Sequence, residues 1–175
     1  MNYCNIKFYD IADGEGVRTT LFVSGCTNRC KGCFQPETWD FKYGEPFDAS
    51  AEQQILDSLA PDYIDGLTLL GGEPFEPPNQ AALVPFLRRV RERHPDKTVW
   101  AYTGFLLEDL LSGSAKRTLF TDEMLSLIDV LVDGPYIEER RNLMLQFRGS
   151  ENQRVIDLPA TLQKRRIVIW DKLIR

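Results

Sequence analysis

Three cysteines lie within eight residues of this 175-residue chain, in the segment Cys26-Thr-Asn-Arg-Cys30-Lys-Gly-Cys33. Spacings of four and seven residues would place three buried thiols on one face of a helix. The polar residues between the cysteines, together with Gly25 and Gly32, argue against a regular helix. Thiols clustered in this way are more typical of metal binding or redox chemistry than of a disulfide framework.

Two kinds of metal site are compatible with the triplet. A structural zinc site needs a fourth ligand, which only Cys4, the single histidine His94 or a carboxylate can supply, and zinc ligands usually come in separated pairs. Thiolates also suit a 4Fe–4S cluster, which normally takes four of them. Three cysteines leave one iron open to a small molecule, and we favour this interpretation, with Cys4 treated as noncatalytic.

The elements that must position these residues can be predicted from hydrophobic pattern and turn signals. Short strands are predicted at 17–24, 66–70, 98–102 and 129–132, and each ends at a segment that suits a ligand. In chain order, these segments are the cysteine triplet, Gly71-Gly72-Glu73-Pro74, Thr103-Gly104 and Asp133-Gly134. Ligands of parallel α/β folds gather at the carboxyl ends of the strands, which makes this coincidence the main structural clue to function.

Helical patterns alternate with the strands. A capping box at 50–53 predicts a helix start at Ser50, Pro85 is expected to start or kink a second helix, and Thr121 is expected to cap a third. A last strand is predicted at 166–170. The alternation predicts an α/β fold: a single domain with a mainly parallel sheet and flanking helices, open or curled into a partial (β/α) barrel.

The ordered set of motifs resembles the radical S-adenosylmethionine superfamily, and within it the activating proteins of anaerobic ribonucleoside-triphosphate reductase. The resemblance covers most of the chain, and beyond the cysteine triplet and Gly71-Gly72-Glu73-Pro74 it rests on four further segments. These are Met1-Asn2-Tyr3, Asp13-Gly14-Glu15-Gly16-Val17-Arg18, Leu131-Val132-Asp133-Gly134 and Arg148-Gly149-Ser150-Glu151-Asn152-Gln153. The chain departs from the pattern at Glu15 and Gln35, where proline and asparagine are common, at Gly32, where an aromatic residue is frequent, and at Pro135, where some related activators have lysine.

The resemblance implies a radical S-adenosylmethionine domain over residues 1–175, with a 4Fe–4S cluster held by Cys26, Cys30 and Cys33. It implies that S-adenosylmethionine is the cosubstrate, that Gly71, Gly72 and Glu73 bind its methionine amino group, and that Phe34 stacks on or covers its adenine. Gly32, Cys33, Thr103 and Asp133 complete the expected cofactor-binding set, with no catalytic side-chain base. The expected partners are the anaerobic reductase, whose glycine becomes a radical, and a one-electron donor such as a flavodoxin.

Composition limits the other classes of function. A net charge of −5 and interspersed charges give no sequence-wide reason to bind nucleic acid, and no apolar run is long enough to span a membrane. The first residues lack a signal-peptide core, so we expect a cytoplasmic protein, for which self-association remains open. Two alternatives stay open: another radical S-adenosylmethionine enzyme, including an activator of a different glycyl-radical enzyme, and a non-enzymatic metal-binding module.

Overall fold

A computed structural model describes residues 1–173 of the chain. These residues form one mixed α/β domain with a seven-stranded sheet and five α-helices. In chain order the elements are β1 (Asn2–Asp10), β2 (Arg18–Val23), β3 (Glu45–Pro46), α1 (Ala49–Ser58), β4 (Gly66–Gly71), α2 (Pro77–Arg93), β5 (Thr98–Tyr102), α3 (Leu107–Leu111), α4 (Thr121–Ser126), β6 (Val130–Asp133), β7 (Arg154–Asp157) and α5 (Leu158–Lys164). Within this part of the chain, no helix is both long and apolar enough to cross a membrane.

The sheet has the order β3-β1-β2-β4-β5-β6-β7. Its centre, β2-β4-β5-β6, is parallel, whereas β1, β3 and β7 are antiparallel to their neighbours. The prediction of a mostly parallel central sheet with flanking helices is therefore confirmed, and the antiparallel edges are an addition to it. The parallel register pairs Leu21 with Leu69 and Leu69 with Ala101, so the carboxyl ends of these strands share one edge.

The two faces of the sheet differ in character. One face, which includes Leu21, Leu69 and Leu131, packs against apolar side chains from all five helices to form the main core. The other face carries a smaller cluster around Trp100 and Trp170, whose rings meet edge to face at 5.0 Å. Alternate strand residues point to opposite faces, which is why neighbouring positions of one strand belong to different clusters.

The second face also buries a charge. The Arg18 guanidinium donates to Thr68 Oγ1 at 2.7 Å and to the carbonyl oxygens of Leu67 and Thr98 at 2.8 and 2.9 Å. It lies 5.5 Å from the centre of a Trp100 ring. Burial lowers the pKa of Arg18 to about 10, and these oxygens satisfy the donors that burial removes from water. Arg18 thereby ties the amino ends of β2, β4 and β5 together.

Several local predictions were wrong. The first helix is capped by Asp48, whose carboxylate accepts from the Ser50 and Ala51 backbones, so Ser50 lies inside the helix. The second begins at Pro77 and contains Pro85, and Thr121 is the first residue of α4 rather than its cap. Segment 166–170 is not a strand of the sheet, since it makes only one isolated bridge, from Ile169 to Ile156 of β7.

Candidate functional site

The cysteine loop, residues 24–34, begins where β2 ends. Gly25 has a φ of +94°, and a side chain there would collide with the ring of Phe41. Its backbone N–H donates to the Thr38 carbonyl at 2.7 Å, which fixes the loop to the 3₁₀ turn at Pro36–Trp39. Only glycine combines this conformation with such a close approach, so the residue before Cys26 is set by the turn itself.

The three cysteines do not lie on a helix. Arg29 and Gly32 both have positive φ, at +48° and +75°, and the Cys33 backbone N–H donates to the Cys30 carbonyl at 3.2 Å in a turn. The segment is irregular throughout, which excludes the stripe of helical cysteines considered from the spacing. All three thiols are half-buried and line one cavity of about 240 Å³.

The cavity lies at the carboxyl ends of the parallel strands. Eight of the ten predicted site residues line it: Cys26, Cys30, Cys33, Phe34, Gly71, Gly72, Glu73 and Thr103. The fold thus brings together three motifs that are up to 77 positions apart in the chain, from Cys26 to Thr103. The same cavity is also lined by residues that sequence reasoning did not single out as contacts, including Asn28, Tyr102, Gly104, Gly134, Tyr136, Gly149 and Gln153.

Two predicted residues are placed beside the cavity rather than on its wall. The buried Asp133 carboxylate accepts from the Leu107 backbone at 2.8 Å and from Arg154 at 2.5 and 2.9 Å. Gly32 forms the turn between Cys30 and Cys33, where a side chain would collide with the Glu138 carboxylate. Asp133 and Gly32 therefore influence the cavity only through neighbouring residues.

Gly72 is required by the protein's own backbone. A Cβ at this position would lie 2.7 Å from the Gly25 carbonyl oxygen and 3.1 Å from that of Val23. The Gly72 and Glu73 backbone N–H groups donate to these same two oxygens, of Val23 and Gly25 respectively, at 2.7 and 2.9 Å. The end of β4 and the start of the cysteine loop are therefore in direct contact, and a side chain at Gly72 would push them apart.

Glu73 is a buried carboxylate beneath the cavity. It accepts from the Phe75 and Gly104 backbones at 2.9 and 2.8 Å, and from the Asn28 side-chain amide at 2.9 Å. Burial raises the pKa of Glu73 to about 7, and these hydrogen bonds, with one from Thr103, only partly offset that effect. The carboxylate joins the cysteine loop to the ends of β4 and β5.

Two further side chains of the segment after β4 hold the same part of the loop. Glu76 accepts from the Thr27 backbone at 2.9 Å and from Lys116 at 2.8 Å. Although burial alone would raise the pKa of Glu76, the hydrogen bonds from Lys116 and Thr27 hold it below its ordinary value. The buried Asn79 amide donates to the carbonyls of Ser24 and Glu73 at 3.0 and 2.9 Å. The conformation of residues 24–28 is therefore determined by side chains from outside the loop.

The Arg148–Gln153 motif contributes to the cavity wall through the hydrogen bonds of the Gln153 side chain. The Gln153 side-chain oxygen accepts from the Gly149 and Ser150 backbones at 2.9 and 3.1 Å, and its amide donates to the Gly134 carbonyl at 3.1 Å. Gly149 and Gln153 thereby become part of the wall beside the end of β6. The motif itself was visible in the sequence, but its contact with the cavity depends on the pairing of β6 and β7.

The donor set at the cavity suits an iron–sulfur cluster. Burial raises the pKa of the Cys26 thiol to about 11 and raises that of Cys30, so these positions favour thiolates only when positive metal charge is bound. Among the described residues, no three His, Cys, Asp or Glu side chains are arranged to hold a single metal ion. His94 caps the carboxyl end of α2, and its Nε2–H donates to the Leu56 carbonyl at the opposite edge of the sheet, so it is not available to the triplet as a zinc ligand.

Comparisons with known proteins also indicate an iron–sulfur domain. Residues 12–156 match the family model described as a 4Fe-4S single cluster domain. The chain is 44% identical to the anaerobic ribonucleoside-triphosphate reductase-activating protein of Pasteurella multocida, over 87% of this chain and 95% of that protein. It is 45% identical to the protein of that name from Haemophilus influenzae, over 87% and 96% of the two chains, and 37% identical to that of Escherichia coli K12, over 89% and 97%. No solved structure matches the chain.

Proposed function

This chain belongs to the family of anaerobic ribonucleoside-triphosphate reductase-activating proteins, and on that premise we propose that it is an oxidoreductase that installs the glycyl radical of such a reductase. Cys26, Cys30 and Cys33 hold a 4Fe–4S cluster whose fourth iron is left for S-adenosylmethionine. When bound, the cluster supplies one electron for cleavage of S-adenosylmethionine to methionine and a 5′-deoxyadenosyl radical, which takes a hydrogen atom from the reductase's glycine.

The observation that carries this proposal is the shared cavity. Three thiols from one loop, the glycines after β4 and Thr103 after β5 line a single space at the carboxyl ends of parallel strands. Soft thiolates are suitable ligands for an iron–sulfur cluster, and the adjacent main-chain groups are suitable for binding a small polar cosubstrate. A non-enzymatic metal site would give no role to the strand ends that complete the cavity.

The protein's own residues bind and orient the cosubstrate. The main chain at Gly71 and Gly72 offers carbonyl oxygens to the methionine amino group, and Glu73 keeps these strand ends against the cysteine loop. Phe34, which lines the cavity and is 79% exposed, covers the adenine. Thr103 provides a polar wall, and Asp133 and Gly32 act on the site indirectly, by fixing Leu107 and Arg154 or the turn of the loop.

The strand order of the sheet supports a partial (β/α) barrel. In this proposal, residues 1–175 form one radical S-adenosylmethionine domain. The parallel strands follow one another in chain order, β2-β4-β5-β6, and the helices pack on a single face. In a doubly wound sheet the strand order reverses and helices cover both faces. Sequential order with helices on one face is the arrangement of a (β/α) barrel, and here the edge strands β3 and β7 leave the sheet open.

The reaction also requires partners outside this chain. An electron donor such as a flavodoxin would reduce the cluster, and a reducing cytoplasmic setting would keep the thiols available as ligands. The reductase must present a backbone glycine at the mouth of the cavity, beside the exposed Phe34.

Electron paramagnetic resonance on mixed proteins tests the proposal. Anaerobically reconstituted and reduced protein, S-adenosylmethionine and the cognate reductase should produce a doublet radical signal, with methionine and 5′-deoxyadenosine formed alongside it. The signal should be absent when the reductase's radical-site glycine is changed to alanine. A signal on only a different glycyl-radical enzyme would contradict the named partner, and cleavage without any protein radical would indicate a small-molecule substrate.

A further inference from the structure

The rim of the cavity continues into a projecting loop, which we call the rim loop, residues 141–150. Its two stems are paired by an isolated bridge between Arg141 and Ser150 and by a 3.2 Å hydrogen bond from the Asn142 backbone to the Gly149 carbonyl. At its tip, Leu143 and Met144 are 83% and 89% exposed. Two adjacent apolar side chains in water contribute nothing to the core, so the fold does not explain them.

The base of the rim loop is firmly held. Phe147 packs edge to face against Trp100 at 5.1 Å and contacts Trp170 at 6.1 Å. Gln153 binds the Gly149 and Ser150 backbones, and Arg148 donates to the Gln153 carbonyl at 3.1 Å. The tip is therefore presented from a fixed support, which reduces the entropy that a partner must overcome on binding.

The rim loop is continuous with the cavity through Phe34. The Arg141 guanidinium lies 6.0 Å from the centre of the Phe34 ring, and the centre of the Tyr136 ring lies 6.4 Å from it. Phe34 and Tyr136 both line the cavity. An exposed surface therefore extends from the mouth of the cavity across Phe34 and Arg141 to the loop that carries Leu143 and Met144.

We propose that Leu143 and Met144 dock an apolar part of the reductase next to its radical-site glycine, and so guide that glycine into the cavity. The inference rests on the proposed function, because a substrate that is part of another protein must cross this rim to reach the site. Apolar side chains that become buried on docking beside a functional pocket contribute much of the affinity at protein interfaces. The occupant is the reductase, rather than a second copy of this chain or the electron donor, because the rim loop adjoins the mouth that the reductase's glycine must enter.

The test compares three variants of the full-length, reconstituted protein. Leu143→Ser with Met144→Ser removes the apolar tip, Leu143→Met with Met144→Leu keeps it, and Tyr63→Ser removes a side chain that is 61% exposed at the opposite edge of the sheet. Each variant is measured for iron content, for dithionite-driven cleavage of S-adenosylmethionine without reductase, for direct binding of the reductase, and for radical yield against reductase concentration.

We expect the double serine variant to bind the reductase at least tenfold more weakly and to need at least tenfold more of it for half-maximal radical formation. Its iron content and reductase-free cleavage should stay within twofold of wild type, and the other two variants should match wild type throughout. Unchanged reductase binding, an equal loss in Tyr63→Ser, or an altered oligomeric state with normal reductase binding would each overturn the docking proposal. Loop-dependent binding without any radical in wild type would support the docking surface and refute the proposed activation.

Discussion

The two halves of the cysteine loop are held in different ways. Residues 24–28 are fixed by three polar side chains from the segment after β4, and each of these side chains, Glu73, Glu76 and Asn79, is at least 98% buried. Residues 29–34 rest on exposed contacts, including the Lys31–Glu139 pair at 2.6 Å and the Arg29 guanidinium 6.0 Å from a Trp39 ring. Both halves carry cysteines of the proposed cluster.

Because their contacts differ in burial, the two halves of the cysteine loop have different roles. Breaking a buried, hydrogen-bonded charge leaves unsatisfied partners and is strongly destabilising, whereas a surface ion pair is screened by water. The first half therefore fixes the position of Cys26 relative to the strand ends. In the proposed cluster site, the second half would gain its order from metal ligation by Cys30 and Cys33, in addition to its own turn.

The largest expected effect is the same for the cysteines of both halves of the loop. Cys26→Ser, Cys30→Ser and Cys33→Ser should each abolish the oxygen-sensitive 4Fe–4S cluster, because a hydroxyl is a poor substitute for a soft thiolate. Cys4→Ser, which changes a half-buried cysteine on β1, should retain it. Iron and sulfide content after anaerobic reconstitution is the measurement. Loss of the cluster in Cys4→Ser to the same degree would show that the ligand assignment is wrong.

Substitution of Gly72 should affect the first half most. As an expected contact of the methionine amino group, Gly72 is a position where valine should weaken cosubstrate binding. Contact of this position with the Gly25 and Val23 carbonyls leads us to expect a lower cluster content as well, because the cysteine loop must move away. Iron content and S-adenosylmethionine titration should be measured together, with Gly113→Val as control, since a Cβ at Gly113 meets no atom within 4 Å. Gly113 has a φ of +90°, whereas Gly72 is outside the left-handed region, so the control adds backbone strain that Gly72→Val does not. Normal iron content in Gly72→Val would contradict the expected displacement of the cysteine loop.

Glu73→Ala and Glu139→Ala make the same chemical change at the buried contacts of the first half of the loop and at the exposed contacts of the second. Removal of Glu73 leaves the Asn28 amide and the Gly104 and Phe75 backbones without their acceptor, so we expect the cluster-free protein to lose about 3 kcal/mol in free energy of unfolding. Glu139→Ala, which removes an exposed partner of Lys31, should leave the urea midpoint unchanged. Equal losses in the two variants would refute the distinction between the halves.

The variants Glu73→Ala and Glu139→Ala also test how the free energy of unfolding depends on pH. Because burial raises the pKa of Glu73 to about 7, the folded state binds a proton more tightly than the unfolded state does. The stability that this tighter proton binding adds is complete below the ordinary glutamate pKa of 4.5 and is lost as the pH rises through 7. Urea unfolding of the cluster-free protein from pH 5 to 8 should show this decline in Glu139→Ala and a smaller one in Glu73→Ala.

The smallest expected effect separates two lysines: Lys116, which contacts the cysteine loop from outside, and Lys31, which lies within it. Lys116 binds Glu76 and Thr27 in a largely buried network, so Lys116→Met should cost about 1 kcal/mol of unfolding free energy. Lys31→Met removes only an exposed ion pair and should not change the unfolding midpoint measurably. High salt should not remove the difference between the variants, because the Glu76 carboxylate is shielded from solvent.

Residue types and local spacing were enough to predict the central strands and the contents of the cavity. The strand predicted at 98–102 coincides with β5, the segment predicted at 66–70 lacks only the last residue of β4, and the segment predicted at 129–132 is displaced by one residue from β6. Apolar and β-branched runs that end in glycine carry this information locally. The antiparallel edges were not predicted: β7 has only four residues, and β1 contains polar and exposed positions that show no clear alternation.

The sequence by itself determined the chemistry, because thiol, glycine and carboxylate positions are properties of residue type and spacing. Only the tertiary structure decided which of these residues contact one another. It placed Gly149 and Gln153 on the cavity wall, moved Asp133 to a support role with Arg154, and turned Glu73 towards Asn28. These outcomes depend on strand order and on burial of side chains that are distant in the chain, and local pattern contains neither.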